Sequence, residues 1–374
     1  MKSALKNAAR KGSELLPHPW RGKLNLALHD LPETLNRKYP ISVRSGQVSG
    51  EGGLAQIASF GNLRCYRQWY ARIFDDSTVV EEGTLHTRSK VIKLGEGNSE
   101  HDLILHPANS LTEQKFERAG WLLVPQYVNC SIDLKKPLEK ILSSRDVKNE
   151  MRVIRKLGYS FKVLQSESAL EEFYHEMLRP MEAERHGELT DKTDLEFLRQ
   201  KFQKGFLLAA YLDSKWVGAN FMVEESPGVI RSRHVGWRDG SQELLRQGRI
   251  VSALLQEVIR HVQEQGYTKL DLGSSNPFAD DGPLIYKLKW VADIELPSAL
   301  NEDGQLVDAE TMTAVHFQLA NQGARSILER TPVIAKYGDG LRVYGWDTPM
   351  RSEFKRQIEK GIDWVNLAEE PPRS

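Results

Sequence analysis

Cysteine is nearly absent: 374 residues carry only Cys65 and Cys130. Two thiols give no disulfide framework, and a chain of this length does not need one to hold a core. No C-x-x-C pair and no Cys/His cluster with zinc spacing occurs, so no metal is expected. This cysteine use points to a reducing cytoplasm. Long apolar runs are missing too, and none reaches the roughly eighteen residues of a membrane helix. The first twenty residues, MKSALKNAARKGSELLPHPW, are basic without an apolar core, which departs from the secretory-signal pattern. A surface helix is expected there, with peripheral contact to anionic lipid as the alternative. Excess charge of either sign is also missing, because 51 Lys+Arg balance 51 Asp+Glu. That disfavours a globally basic DNA binder and leaves a local basic patch open.

What is present is an ordinary globular balance, 40% hydrophobic and 27% charged. The length suggests two domains at about 100–200 residues each. Gly and Ser crowd Ser45–Gly53, which reads as a flexible loop. Strands are expected at Thr87–Leu94 and Leu103–His106, with a turn over Gly95–Asp102, and again at Tyr127–Leu134. Leu138–Leu157 reads as one helix stopped by Gly158, and Tyr159–Leu164 alternates as a strand. Ser168-Ala-Leu-Glu171 and Thr193-Asp-Leu-Glu196 are capping-box patterns. Three strands follow, Phe206–Leu212, Trp216–Glu224 and Val229–Trp237. After a polar loop, Ile250–Gln265 keeps one apolar face through Leu254, Leu255, Val258, Ile259 and Val262, and Gly266 closes it. Tyr267–Leu272 is a strand, Thr331–Ala335 another, and Arg351–Ile362 a terminal helix. The fold class is α/β (α+β).

The richest stretch is Asp271–Trp290, DLGSSNPFADDGPLIYKLKW. Small and polar residues at a strand's end, here Ser274, Ser275 and Asn276, let a backbone approach a substrate. Lys287 and Lys289 close by can hold negative charge. Asp281 is a candidate to take a proton from an attacking amine, although Asp280-Asp281-Gly282 is also ordinary turn chemistry. Arg145, Lys148, Arg152, Arg155 and Lys156 recur at helical spacing, interrupted by Glu150. Lys148 and Arg152 are the candidates for a phosphorylated lipid-linked saccharide or a tRNA acceptor end; a solvated charged face is the alternative. His186 and His234 are candidate bases or hydrogen-bonded structural residues. No Ser-His-Asp order or nucleophile elbow is present.

Over roughly residues 120–335 the order of these motifs resembles GNAT-like acyltransferases of the FemAB type. The strongest part is Leu270–Trp290. The resemblance implies a mixed sheet flanked by helices, built as two tandem GNAT-like halves. Residues 1–125 would be a degenerate first half, 126–335 the acyltransferase domain and 336–374 a C-terminal extension. It further implies that Arg246, Gln247, Gly248 and Arg249 hold the pyrophosphate of an acyl-CoA donor at a helix N-terminus. Tyr286 and Lys287 would then lie at the catalytic centre. Two departures stand out: the loop lacks its second glycine, and the family's Trp-Gly is here Trp290-Val291. The implied activity is transfer of an acyl or aminoacyl group to an amine, or less readily a hydroxyl, of a saccharide or peptide precursor in cell-envelope or exopolysaccharide biosynthesis. Aminoacyl-tRNA is the alternative donor, although the helical-hairpin insertion some members use for tRNA is missing. A catalytically inactive binding protein of the same shape is the third reading.

Overall fold

The computed structural model describes residues 38–50, 52–61, 66–97, 99–109, 112–186, 193–297 and 312–369. The expected N-terminal helix, Cys65, Gly187 and the side chains of Arg185 and His186 lie outside the described residues. Strands run in the order β1 (Lys38–Val48), β2 (Leu54–Phe60), β3 (Phe74–Thr87), β4 (Leu103–Ala108), β5 (Leu122–Pro125), β6 (Val128–Asp133), β7 (Ser160–Leu164) and β8 (Gly205–Leu212). They continue as β9 (Lys215–Ser226), β10 (Val229–Trp237), β11 (Lys269–Ser275), β12 (Asp293–Glu295), β13 (Met312–Phe317), β14 (Val333–Tyr337), β15 (Gly340–Gly345) and β16 (Asp363–Asn366).

The chain forms two compact units. The first comprises residues 1–128, 275–285 and 295–374. Its nine-stranded sheet has the order β16-β15-β14-β5-β13-β4-β2-β1-β3. Strand β13 lies between β5 and β4 and is antiparallel to both. Successive residues alternate between the two faces, as strand geometry requires. Leu103, Leu105, Val315 and Phe317 enter one core cluster, while Ile104, Met312 and Ala314 enter another. The expected division at residues 125 and 335 is therefore crossed, because strands beyond residue 311 complete a sheet begun before residue 125.

The second unit comprises residues 129–274 and 286–294. Its sheet order is β12-β6-β11-β10-β9-β8-β7. From β7 to β10 neighbours are antiparallel, while β10 and β11 are parallel. The link between those parallel strands is the helix Ile250–Glu264, which buries Ile250, Leu254, Val258, Ile259 and Val262. Each such apolar side chain contributes about 1.5–3 kcal/mol on burial. Phe173, Met177, Leu198, Phe221 and Trp237 complete this core. The helix Glu167–Phe173 runs into a π-helical turn, Tyr174–Leu178, where the backbone of Met177 and Leu178 approaches Gly236 too closely for a side chain.

Several local expectations are corrected. Thr87–Leu94 is not a strand: β3 ends at Thr87 and Arg88–Glu96 is a helix burying Val91 and Ile92, which also replaces the expected turn at Gly95. Ser45–Val48 belongs to β1, paired on both sides, so only the turn after it is loop. The single helix over 138–157 is two, because Ser144 caps a new start at Arg145 through a bond from Val147 N–H. The capping residues are Ser166 and Asp194, not Ser168 and Thr193. Gly158, with φ 75°, does end its helix.

Candidate functional site

The parallel pair in the second unit is a fork. β10 and β11 pair only through Val229–Arg231 and Lys269–Asp271. Beyond that point Ser232–Trp237 and Leu272–Ser275 are not paired with each other. An opening at the carboxyl ends of parallel strands is where α/β sheets take ligands. Arg231 and Asp271 form an ion pair at the crotch, 2.9 Å apart, and the other Asp271 oxygen accepts from Gly273 N–H at 2.7 Å. Lys287 extends from the helix Gly282–Lys289 and donates to the carbonyls of Gly273 and Ser274 at 3.0 and 2.7 Å. The lysine therefore braces the end of β11 with its ammonium group. Ser274 Oγ donates to Asn129 at 3.2 Å.

The loop that leads into the Ile250 helix follows from its residues. Gly248 packs so closely on Leu244 that a Cβ would stand 2.7 Å from the Leu244 carbonyl oxygen. Its own carbonyl accepts from the Tyr159 hydroxyl at 2.7 Å. Arg249 is left-handed (φ 52°) and no side chain caps the helix. The first amides of that helix are thus open donors at the positive end of its dipole. Arg246 and Gln247 are exposed beside them.

Next to this terminus is a pocket of about 240 Å³. Arg249, Tyr286, Lys289 and Trp290 line one side. The helix Arg145–Leu157 lines the other with Asp146, Asn149, Glu150 and Val153. Helical geometry separates those positions from the basic ones. Ile154 is buried in the core, Val147 is buried at the pocket's edge, Asp146, Asn149, Glu150 and Val153 line the pocket, and Lys148, Arg152 and Arg155 do not. Lys148 and Arg152 are exposed, so the two expected substrate contacts lie outside the pocket. The acidic residues that do line it were legible only as a break in a basic run.

Tyr286 is half-buried and shares a 3.2 Å hydrogen bond with Ser252. Burial pushes its pKa well above the usual phenol value, opposed by the Ser252 bond and reinforced by Glu150. The phenol therefore keeps its proton at neutral pH. His234 is pushed down by burial and stacks on Phe221, which fits a neutral structural ring.

Ser275, Asn276 and Asp281 belong to the first unit. Asp281 is buried, accepting from Asn276 Nδ2 and from Leu284 N–H, both at 3.0 Å. Both oxygens are engaged in holding a turn and starting a helix, so the expected proton acceptor is a cap. Asp280 pairs with Arg72. Ser275 is buried, and its hydroxyl has no hydrogen-bond partner.

Among the described residues no group of three or more His, Cys, Asp or Glu is placed to hold a metal, and no helix is long and apolar enough to cross a membrane. No protein-family model matches the sequence, and no curated protein matches it. Solved structures similar to this chain include FemX, at 10% identity and TM-score 0.37, covering 79% of this chain and 90% of that one. L-PGS from Bacillus licheniformis is 12% identical with TM-score 0.35, covering 76% and 87%. A GCN5-related N-acetyltransferase from Sphaerobacter thermophilus is 14% identical with TM-score 0.33, covering 70% and 71%. Four antiparallel strands, a helical crossover and a forked parallel pair give the second unit, by its own strand order, a GNAT-like fold.

Proposed function

We propose that the second unit is an acyltransferase domain that takes an acyl group from acyl-CoA and gives it to an amine of a saccharide or peptide precursor of the cell envelope. The observation that carries this reading is the fork between β10 and β11 beside an uncapped helix N-terminus. The residues present fit a pyrophosphate. The open amides of the Ile250 helix and the exposed Arg246 supply donors, and Gly248 keeps the loop tight against Leu244. Bound acyl-CoA supplies a thioester carbonyl, whose C–S bond is replaced by a C–N bond. The nitrogen loses one proton and the departing sulfur gains one. Tyr286, whose hydroxyl meets Ser252 in the first turn of the Ile250 helix at 3.2 Å, is the group we assign to that sulfur. Lys287 holds the strand end in place rather than touching the reacting atoms. The end of β10 beyond Arg231, where its pairing with β11 stops, is placed to position the donor.

The exposed basic face of Lys148 and Arg152 favours a second donor, aminoacyl-tRNA, whose binding would fall steeply with salt. The deciding experiment is thermal unfolding with CoA, acetyl-CoA, longer acyl-CoAs and charged tRNA. A ligand at one hundred times its Kd stabilises by about 2.7 kcal/mol. A shift with a CoA species that disappears in Arg246→Ala supports the first reading. A shift only with charged tRNA replaces it with the second, and no shift with any donor overturns both.

A further inference from the structure

The pocket beside the Arg145 helix carries charge of both signs that the proposed donor site leaves unused. Glu150 is the informative group. One of its oxygens faces Arg249 at 3.8 Å, too far for a hydrogen bond. The other is withdrawn from solvent and has no hydrogen-bond partner. An unpartnered carboxylate oxygen withdrawn from solvent is rare in folded proteins. Asp146 lies one turn earlier on the same face of the helix. Across the pocket stand Arg249 and Lys289, so two carboxylates meet two cations. The rings of Tyr286 and Trp290, 6.3 Å apart, form an apolar wall.

This charge pattern selects among ligands. A phosphate would meet two carboxylates, and a simple alkylammonium or amino sugar would meet two cations. A molecule carrying an ammonium and a carboxylate a few bonds apart satisfies both pairs. The volume of about 240 Å³ is below the roughly 300–1,000 Å³ of sites for drug-sized ligands, so a small occupant fits. We infer that this pocket binds an α-amino acid as a zwitterion, its ammonium on Glu150 and Asp146 and its carboxylate on Arg249 and Lys289. Resting on the acyltransferase reading, this narrows the amine acceptor to the α-amino group of an amino acid, whose ammonium gives one proton to the Glu150 carboxylate and on to solvent before it attacks, and a second to the departing sulfur. It also explains why a break in the basic stripe falls at Glu150.

The test is calorimetric titration of the full chain with free L- and D-amino acids. Each ligand found is compared with its methyl ester, which lacks the carboxylate, with its N-acetyl derivative, which lacks the ammonium, and with glucosamine. At least one free amino acid is expected to bind, and its ester and N-acetyl forms at least tenfold more weakly. Glu150→Gln should weaken the amino acid at least tenfold and leave the N-acetyl form unchanged. Lys289→Met, at a half-exposed position, gives the converse result with the ester and guards against a folding defect in the first variant. Equal binding of the N-acetyl form, glucosamine binding as tightly as any amino acid, or no binding by any of them overturns the inference. CoA is titrated into the same sample. CoA binding without amino-acid binding removes the acceptor assignment alone, and amino-acid binding without CoA binding removes the donor reading alone.

Discussion

His106 sits on β4 in the first unit, fully buried among Tyr39, Phe60 and Phe116. Its Nδ1 bonds the Pro107 carbonyl at 2.7 Å, while Nε2 is buried with no partner. Burial is the main cause, with Arg88 adding to it, of a pKa lowered from 6.5 to about 3. Above pH 6.5 the ring is neutral in both the folded and the unfolded chain and contributes no pH dependence. Between pH 6.5 and 3 the unfolded chain binds a proton that the folded one refuses, so stability falls as pH falls. The slope approaches 1.4 kcal/mol per pH unit, giving a loss of about 3 kcal/mol by pH 4.5 and about 4 kcal/mol by pH 3. That is comparable to the roughly 5–15 kcal/mol stability of a whole domain. His106→Phe keeps a ring in the aromatic cluster and removes the titration. At pH 7 the variant should lose only the Pro107 hydrogen bond, about 1 kcal/mol. Urea unfolding of both proteins from pH 7 to pH 4.5 isolates the effect, because His101, His234 and His316, also pushed down by burial, cancel in the difference. A wild-type-minus-variant difference that stays constant over that range would refute the reasoning, as would an imidazole NMR titration showing His106 protonated near pH 6.

Three further outcomes follow from single positions. Val291 is β-branched yet left-handed, with φ 65°, where a side chain costs about 1–2 kcal/mol; Val291→Gly should raise the free energy of urea unfolding by roughly 0.5–1 kcal/mol after the added chain entropy, seen as a higher midpoint at unchanged slope. Gly248→Ala places a methyl against the Leu244 carbonyl, so unfolding measurements should show a loss of about 1–3 kcal/mol, together with lost CoA binding. Asp281→Ala removes the cap on Leu284 N–H and should cost about 0.5–2 kcal/mol, whereas Asp281→Asn keeps the oxygen that caps Leu284 N–H, gives up the bond from Asn276 and should retain turnover. Inactive, fully stable Asp281→Asn would restore Asp281 as a proton acceptor.

Sequence periodicity located the elements whose patterns are unambiguous. The Ile250 helix starts where its apolar face starts, and Val229–Trp237 is a strand with the expected limits. Residues 88–96 misled because Val91 and Ile92 are adjacent and flanked by charge, which suits a short strand or one buried helical stripe equally. The loop Arg246–Arg249 was singled out by resemblance, and the backbone reason for Gly248, its close approach to the Leu244 carbonyl, emerges only in the fold. The pocket was not, since it depends on which side of the Arg145 helix meets Arg249 and Lys289, a tertiary fact. Lys287 and Asp281 were singled out for their chemistry, but the hydrogen-bond partners that their charged groups meet in the fold decide their work. Val291 shows the reverse: a valine follows Trp290 on a left-handed backbone that glycine would adopt without strain.

The placement of β13 has a consequence for how the chain is made. β4 and β5 leave the ribosome early, but the strand that joins them begins at Met312, about 190 residues later. At about 5–20 residues per second, β4 waits roughly 10–40 s with one edge unpaired. Residues 129–274 emerge within that interval and contain most of the second unit. The second unit is therefore free to condense first, while the first-unit sheet closes last and carries the greater exposure to aggregation during synthesis.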